Sequence, residues 1–578
     1  MEIQTLQELV NLFRDRKSMC LEGNKEYSYK QAYHTIVTLA RGFLSSGLAP
    51  GDRVMIMSQN RTEWMLTSLA LNYAGIIDVP RGVNASDTEI NYILKHSAPG
   101  MIIVDNEKAY MRMKGNREII SIEKIHGIRC LDDIIKKGEK SHISIPEVNP
   151  DMVASHLYTS GTTGEPKGAE LTHRNYAANI NACKRRLHAD DSDLAMSVLP
   201  LWHVLERLAE YVFLFWGASI YYSSIPSLKK DLKVIRPTCL VVVPRILEKI
   251  YDTRVVRSLE KKSGITKGIF KFFIGLSIDS RRGGWNPFRA IEKIPRQYLD
   301  KQVFSKLKEG LGGRIRLLVS GGGKLRRDID DFFFAAGIPI LEGYGLTETS
   351  PVIAVRSFED FTPGTVGKPL GNLEVKILDH DTGNEMKKTK IGVIFVKGPS
   401  VMKGYYKNDY ETRKAFRNGW FDTGDLGYID KQGNIVITGR MKNIIVLSNG
   451  ENISPEYIEF ALKRSPLITN AIVVGQDWKG LGALIEPDFE YLEDIYGDEY
   501  ANLESSEIHK LYKREIRHSV SPLSGFREFE CIKSFRLLKK SLEPGKELTW
   551  TMKLRRSVVE RTFNKEIENI GVDINGKR

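Results

Sequence analysis

The chain has 578 residues, 42% of them hydrophobic and 27% charged; this is ordinary globular composition on a length that exceeds a single core. Its five cysteines, at 20, 130, 183, 239 and 531, are odd in number and form no C-x-x-C pair, which argues against zinc or a disulfide framework and for a reducing cytoplasm. The net charge of +13 suits a polyanionic substrate or an anionic lipid surface; no nucleic-acid module accompanies it, so no nucleic acid partner is expected. Met1 to Leu9 lacks the basic-then-apolar layout of a signal peptide. The longest uncharged stretch, Tyr211 to Leu228, is interrupted by Gly217 and Pro226, so no membrane span is expected.

Helical and strand patterns alternate from the start. Tyr29 to Leu44 has apolar residues at helical spacing, Arg53 to Met57 reads as a short buried strand, and Glu63 to Ala74 is helical again. Met101 to Asp105 repeats the strand pattern, as do Leu240 to Val243 and Ile315 to Val319. This alternation predicts an α/β protein with buried, largely parallel sheets. Between Arg254 and Arg316, Lys267 to Gly275 mixes apolar bulk with lysine and is followed by Arg281, Arg282 and Arg289. Such a piece suits a peripheral contact with the cytoplasmic face of a membrane or an ordinary packed helix. Near residue 365 the pattern changes. Leu373–Leu378, Gly392–Val396 and Asn434–Thr438 alternate with turns and no long helix, predicting a small antiparallel β subdomain. Ser454, Pro455 and Glu456 mark a helix start leading into Tyr457–Leu462, and a strand is expected at Ala471–Val474. A domain boundary is expected at 438–442, dividing a large domain, 1–438, from a small α+β domain, 439–578.

The densest chemistry lies in Tyr158 to Gly168, which reads Tyr-Thr-Ser-Gly-Thr-Thr-Gly-Glu-Pro-Lys-Gly. Its glycines let backbone N–H groups approach an anion, Ser160, Thr162 and Thr163 add hydroxyl donors, and Lys167 adds a mobile positive charge. The loop suits a polyphosphate. It is not a Walker loop, because Pro166 precedes the lysine and Gly168 follows it, leaving no adjacent hydroxyl for a metal. Met152–Leu157 reads as the strand before it, and Thr172–Asn179 as a helix after it with Thr172 as cap. Farther along, Glu342 to Thr349 offers an aromatic face at Tyr344, a hydroxyl at Thr347 and a hard carboxylate ligand for Mg²⁺ at Glu348.

Together these two strings resemble the signature loops of the adenylate-forming superfamily, which includes acyl- and aryl-CoA synthetases, adenylation domains of nonribosomal peptide synthesis, and beetle luciferases. Three further stretches extend the resemblance, Val319–Lys324, Gly419–Gly427 and Gly439–Lys442, and together with those named below it is taken to cover nearly the whole chain, roughly residues 20–560. It implies that Thr159, Ser160, Gly161, Thr162, Thr163, Gly164 and Lys167 cradle ATP phosphates, with Glu348 and Thr162 on the metal. It also implies that Gly321, Gly322, Tyr344 and Gly345 line the adenine and acyl pocket, and that the Thr347 hydroxyl meets a phosphate. Asp425 would grip the ribose diol with its two acceptor oxygens. Arg440 would bind ribose or phosphate, and Lys442 would be the pivot of a mobile C-terminal domain. Leu199–Arg207, Val243–Ile250 and Val446–Pro455 resemble the long-chain acyl-CoA synthetase branch, with His203 beside the acyl carboxylate. The family's C-terminal Thr/Ser-x-Gly-Lys turn is missing. Leu548–Arg556 resembles its long-chain variant, which makes Lys553 the expected catalytic lysine with Lys546 as rival.

The implied activity is that of a long-chain fatty acid–CoA ligase using ATP, Mg²⁺ and CoA. A fatty carboxylate attacks the α-phosphorus of ATP and releases pyrophosphate; CoA thiol then takes the acyl group from acyl-AMP. The carboxylate is already a nucleophile, so Lys167, Thr347 and Lys553 would serve alignment and charge neutralisation rather than base catalysis. Acyl carrier protein as acceptor, a shorter or aromatic acid, and a catalytically inactive fatty acid binding protein on a membrane are the competing readings. Oligomeric state stays open, a homodimer included.

Overall fold

The computed structural model describes residues 2–16, 18–22, 25–116, 118–159, 165–252, 304–497, 506–549 and 552–576. The basic amphipathic segment, with Lys267–Gly275, Arg281, Arg282 and Arg289, lies outside these, as do Ser160, Gly161, Thr162, Thr163 and Gly164. The chain forms two compact units. The larger comprises the described residues of Met1–Leu247, Ser263–Val375 and Phe395–Asp422; the smaller comprises those of Glu248–Lys262, Lys376–Ile394 and Thr423–Arg578.

Two sheets organise the larger unit. One has eight strands in the spatial order Val352–Val355, Ile340–Gly345, Leu317–Ser320, Cys239–Val242, Leu194–Ser197, Ser219–Tyr222, Met19–Glu22 and Tyr27–Ser28. Its six inner strands are parallel and both edge pairings are antiparallel. The other has seven strands in the order Gly404–Tyr405, Lys167–Thr172, Val153–Thr159, Ile77–Arg81, Arg53–Met57, Met101–Val104 and Glu118–Ser121. Its last five are parallel, and the first two join antiparallel. Continuous apolar runs such as Met101–Val104, buried at every residue, explain the parallel centres, because both faces are covered. Helix Tyr29–Ser45 begins at a Ser28–Gln31 capping box, whereas all twelve residues of helix Thr62–Tyr73 are buried.

Most expected elements fall within a residue or two of the observed ones, although the helix expected to Asn179 runs on to Arg186 and the strand expected from Ala471 begins at Ile468; two differences are instructive. A strand, Lys167–Thr172, stands between the hydroxyl-rich segment and the helix His173–Arg186, so this segment joins two antiparallel strands rather than a strand to a helix. Thr172 still caps the helix, its hydroxyl accepting from Asn175 N–H. Ser454 stands before helix Pro455–Leu462 but makes no side-chain cap; its hydroxyl donates to the Thr438 carbonyl and to Glu456.

In the smaller unit, strands Ile468–Val474, Leu481–Pro487 and Ile532–Leu537 form a mixed sheet. Side chains alternate across it. Val473, Leu481, Ala483 and Ile485 pack with Ile458, Leu462 and Tyr512, while Ile472, Val474 and Leu484 pack with Val559, Phe563 and Ile570. The strand period of two thus gives one sheet two apolar faces, each covered by helix.

Candidate active site

Lys167 is the first residue of its strand and stands opposite Thr159, so the pair forms the base of the hydroxyl-rich loop. Its ammonium pairs with a carboxylate oxygen of Glu411 and lies 5.2 Å from the ring centroid of Tyr405. Both side chains of the ion pair are about a quarter exposed, at 23% and 24%. The short strand Gly404–Tyr405 is paired to the hairpin, with Tyr405 opposite Ala169, and Tyr406 N–H donates to the Gly168 carbonyl at 2.8 Å. Glu411 sits in the first turn of helix Asp409–Ala415, where its N–H is capped by Asn408.

Glu348 occupies a one-turn 3₁₀ helix, Thr347–Thr349, directly after strand Ile340–Gly345. Gly345 is required there: a Cβ would come within 1.7 Å of the Pro351 carbonyl oxygen as the chain doubles back. Thr349 Oγ1 closes the turn by accepting from Leu346 N–H. Tyr405 reaches this turn as well. Its hydroxyl donates to Glu348 Oε1 at 2.9 Å, and Met402 N–H donates to the Glu348 carbonyl at 2.8 Å. Burial, and then the Glu348 charge, push the Tyr405 phenol well above its ordinary range, which keeps it a donor. A chain Glu411–Lys167–Tyr405–Glu348 therefore joins the base of the loop to the expected metal carboxylate. Neither Tyr405 nor Glu411 stands out in the sequence, since a Gly-Tyr-Tyr strand and an acid in a helix's first turn both have ordinary structural uses.

Tyr344 lies on the same strand, opposite Ala354. In the turn that follows the neighbouring strand Leu317–Ser320, Gly321 packs against Leu205, the space for its missing Cβ lying 3.2 Å from Leu205 Cδ2, and Gly322 turns with φ +80°. Glu342 ties the two elements together. It accepts from Leu325 N–H and pairs with Arg356 at 2.8 Å, and burial raises its carboxyl to about 7 despite that partner. His203 is the N-cap of helix Val204–Trp216, its ring Nδ1 accepting from Leu205 N–H at 3.4 Å. One turn on, fully buried Arg207 pairs with Asp78 at 2.9 Å and donates to Ser155 at 2.7 Å, bonding this helix to two strands of the seven-stranded sheet. Gly321, the His203 helix and the hairpin are thereby linked through the larger unit.

The other candidates lie in the smaller unit. Asp425 faces Arg440 across an antiparallel strand pair, with Arg440 Nε 2.8 Å from Asp425 Oδ1. Asp425 is buried and Arg440 half-exposed. Lys442 is exposed in the 3₁₀ turn Met441–Asn443 that follows, and Asn443 anchors this turn to Glu456. Backbone bonds join the described segments that carry Lys546 and Lys553. Thr549 N–H donates to the Lys553 carbonyl and Arg555 N–H to that of Glu547. Lys546 pairs with Glu543 at 2.6 Å; Lys553 is exposed.

For Mg²⁺, the donor set fits. Glu348 is a hard carboxylate with one oxygen held by a phenol, and the hydroxyl residue Thr347 adjoins it. Among the described residues no group of three or more His, Cys, Asp or Glu is placed to hold a metal ion by itself, and an ion bound mainly through a nucleotide's phosphates needs only one or two carboxylates. No described helix is long and apolar enough to cross a membrane.

Residues 6–406 match the AMP-binding enzyme family, and residues 442–571 match the AMP-binding enzyme C-terminal domain. The long-chain-fatty-acid–CoA ligase FadD15 of Mycobacterium tuberculosis is 32% identical over 93% of this chain and 91% of its own length. The chloroplastic long-chain-fatty-acid–[acyl-carrier-protein] ligase AEE15 of Arabidopsis thaliana is 30% identical, over 94% of this chain and 82% of its own. Among solved structures, ATP-bound MatB of Rhodopseudomonas palustris has the same fold, with a TM-score of 0.73 at 22% identity, covering 97% of this chain and 99% of that one.

Proposed function

The chain belongs to the AMP-binding enzyme family, and we infer that it is an AMP-forming long-chain fatty acid–CoA ligase. The observation that carries the reading is the Lys167–Tyr405–Glu348 connection, which sets an ammonium and a hard carboxylate at the base of one hydroxyl-rich loop. That combination suits a magnesium–nucleotide, and relatives of similar length that join long-chain fatty acids to CoA support the acid and the acceptor.

The protein binds ATP, a fatty acid and CoA. Lys167 neutralises the phosphates whose charge would repel an incoming carboxylate, and the loop N–H groups orient the α-phosphorus. Glu348, with Thr347 beside it, holds Mg²⁺, which when bound supplies further charge neutralisation on the phosphate oxygens. Tyr344 offers its ring face to adenine beside the Gly321–Gly322 turn, and His203 meets the acyl carboxylate at the helix N-terminus. Asp425 accepts from the ribose hydroxyls with Arg440 alongside. Lys553 brings positive charge to the α-phosphate during adenylation. Residues 439–578 act as a mobile domain turning about Lys442, so that the second half-reaction presents a different surface to the same pocket. The five scattered cysteines suit a reducing cytoplasm, and the basic segment between Arg254 and Arg316 suits either peripheral membrane contact or an ordinary packed helix.

A panel of fatty acids from six to twenty carbons, scored by AMP release dependent on both ATP and CoA, tests the reading. Release with long-chain acids and free CoA is expected. Release only with a phosphopantetheine carrier protein would favour the acyl-carrier-protein ligase reading, which AEE15's similarity supports. No fatty-acid-dependent release with either acceptor would overturn both.

A further inference from the structure

Tyr405 touches both charged groups on which the proposed chemistry depends, and the segment that carries it is tied by backbone to the elements that carry them. Three main-chain bonds do this: Met402 N–H to Glu348 O at 2.8 Å, Lys403 N–H to Glu170 O at 3.1 Å, and Tyr406 N–H to Gly168 O at 2.8 Å. A fourth contact fixes the strap to itself, as Tyr405 N–H donates to Thr412 Oγ1 at 2.9 Å. The following helix is capped by Asn408 and presents Glu411 to Lys167. The hairpin that begins at Lys167 and the turn that carries Glu348 are thus both registered against one short strap.

Resting on the proposed function, we propose that Tyr405 and Glu411 are positioning residues: Tyr405 aims Glu348 at magnesium, and Glu411 aims Lys167 at the outer phosphates. A carboxylate has two oxygens. With Oε1 committed to the phenol, the group is fixed in rotation and its other oxygen is the one presented to the metal. An ammonium has three donors, so Glu411 can hold one while the others reach phosphate. The Tyr405 ring face lies against the same ammonium and narrows its positions further. Lysine alone is a flexible four-carbon stem, and without Glu411 it samples many rotamers. Neither Tyr405 nor Glu411 needs to contact substrate for this role.

The two residues act on different parts of the ligand, which separates positioning from simple support of the fold. Tyr405→Phe removes only the hydroxyl and keeps the ring; Glu411→Gln keeps size and removes the charge. Calorimetric titration of each full-length protein with Mg²⁺·ATP, with ATP in EDTA, and with AMP reads out the parts separately. In Tyr405→Phe, affinity for Mg²⁺·ATP falls about tenfold while ATP in EDTA and AMP bind as in wild type. In Glu411→Gln, Mg²⁺·ATP and metal-free ATP both weaken severalfold, AMP is unchanged, and Glu411→Asp recovers part of the loss. Wild-type binding of all three ligands by both variants overturns the proposal. So does an equal loss of AMP and ATP accompanied by a lower melting temperature, which marks a structural role. A wild-type protein that binds Mg²⁺·ATP but shows no fatty-acid-dependent AMP release refutes the ligase reading without touching this result; a wild type that binds no nucleotide refutes both.

Discussion

Arg440 and Asp425 stand directly opposite one another on paired strands, and the guanidinium Nε lies 2.8 Å from the carboxylate Oδ1. The expected ribose ligand and the expected hinge-side cation thus begin as each other's partners. A ribose bound at Asp425 would therefore share the carboxylate with the arginine or displace it. Asp425→Ala is expected to weaken ATP by about 1.5–3 kcal/mol, the usual cost of a charged hydrogen bond, with fatty acid binding little changed. Measured against 2′,3′-dideoxy-ATP, the mutation should cost almost nothing. An equal loss with both nucleotides would remove Asp425 from the ribose.

Lys553 and Lys442 should separate the two half-reactions. Lys553→Ala is expected to cripple acyl-AMP formation by tenfold or more, on the order of 1.4 kcal/mol or above, while leaving conversion of supplied acyl-AMP and CoA to thioester intact. Lys442→Pro should do the reverse, because proline fixes φ at the proposed pivot. Separate single-turnover assays of each step decide it. Similar damage to both steps in both variants would sink the rotating-domain mechanism, and a normal Lys553→Ala enzyme would move the role to Lys546.

Glu206 and Glu210 make stability depend on pH. They lie one turn apart on helix Val204–Trp216 and are 2% and 1% exposed. Burial pushes the Glu210 carboxyl up to about 8, only partly offset by Ser197, the Tyr222 hydroxyl and the Arg207 charge, and raises Glu206 in the same direction. Above about pH 4.3 the unfolded chain releases a proton that the folded protein keeps until about pH 8. Stability is therefore full at the acid end of that window and falls as pH rises through it, by at most about 1.4 kcal/mol per pH unit for one group. Denaturant midpoints taken from pH 5 to 8.5 should decline, and Glu210→Gln should flatten the curve. A Glu210→Gln profile as steep as wild type would assign the slope elsewhere.

The Arg207–Asp78 pair is buried at 0% exposure on both sides. Removing one partner strands the other charge, so Asp78→Ala should cost about 3–5 kcal/mol in denaturant unfolding. Ser155→Ala, which removes only a neutral acceptor of the same guanidinium, should cost about 1 kcal/mol. Equal costs would mean that stranding a buried charge is no worse here than losing one neutral hydrogen bond.

Much of the fold was legible because the signals were local. Arg53–Met57 is a strand as its apolar run predicts, and Thr172 caps its helix as a hydroxyl before a helical pattern should. The strand at Lys167–Thr172 was not legible. Its residues, Lys-Gly-Ala-Glu-Leu-Thr, have little strand propensity of their own and become a strand by pairing on both sides, with Val153–Thr159 and with Gly404–Tyr405.

The candidate site divides along the same line. Residue type marked Lys167, Tyr344, Thr347 and Glu348, because hydroxyls, an aromatic face and a carboxylate announce their chemistry within a few positions; family resemblance added Asp425 and Arg440. The partners of those groups were set by the tertiary structure. Glu411 is 244 residues from Lys167, and Tyr405 is 57 from Glu348. A sequence states which donors and acceptors a segment owns, but which of them meet depends on strand register and on how distant segments stack, and a shift of one residue would turn Tyr405 to the opposite face of its strand.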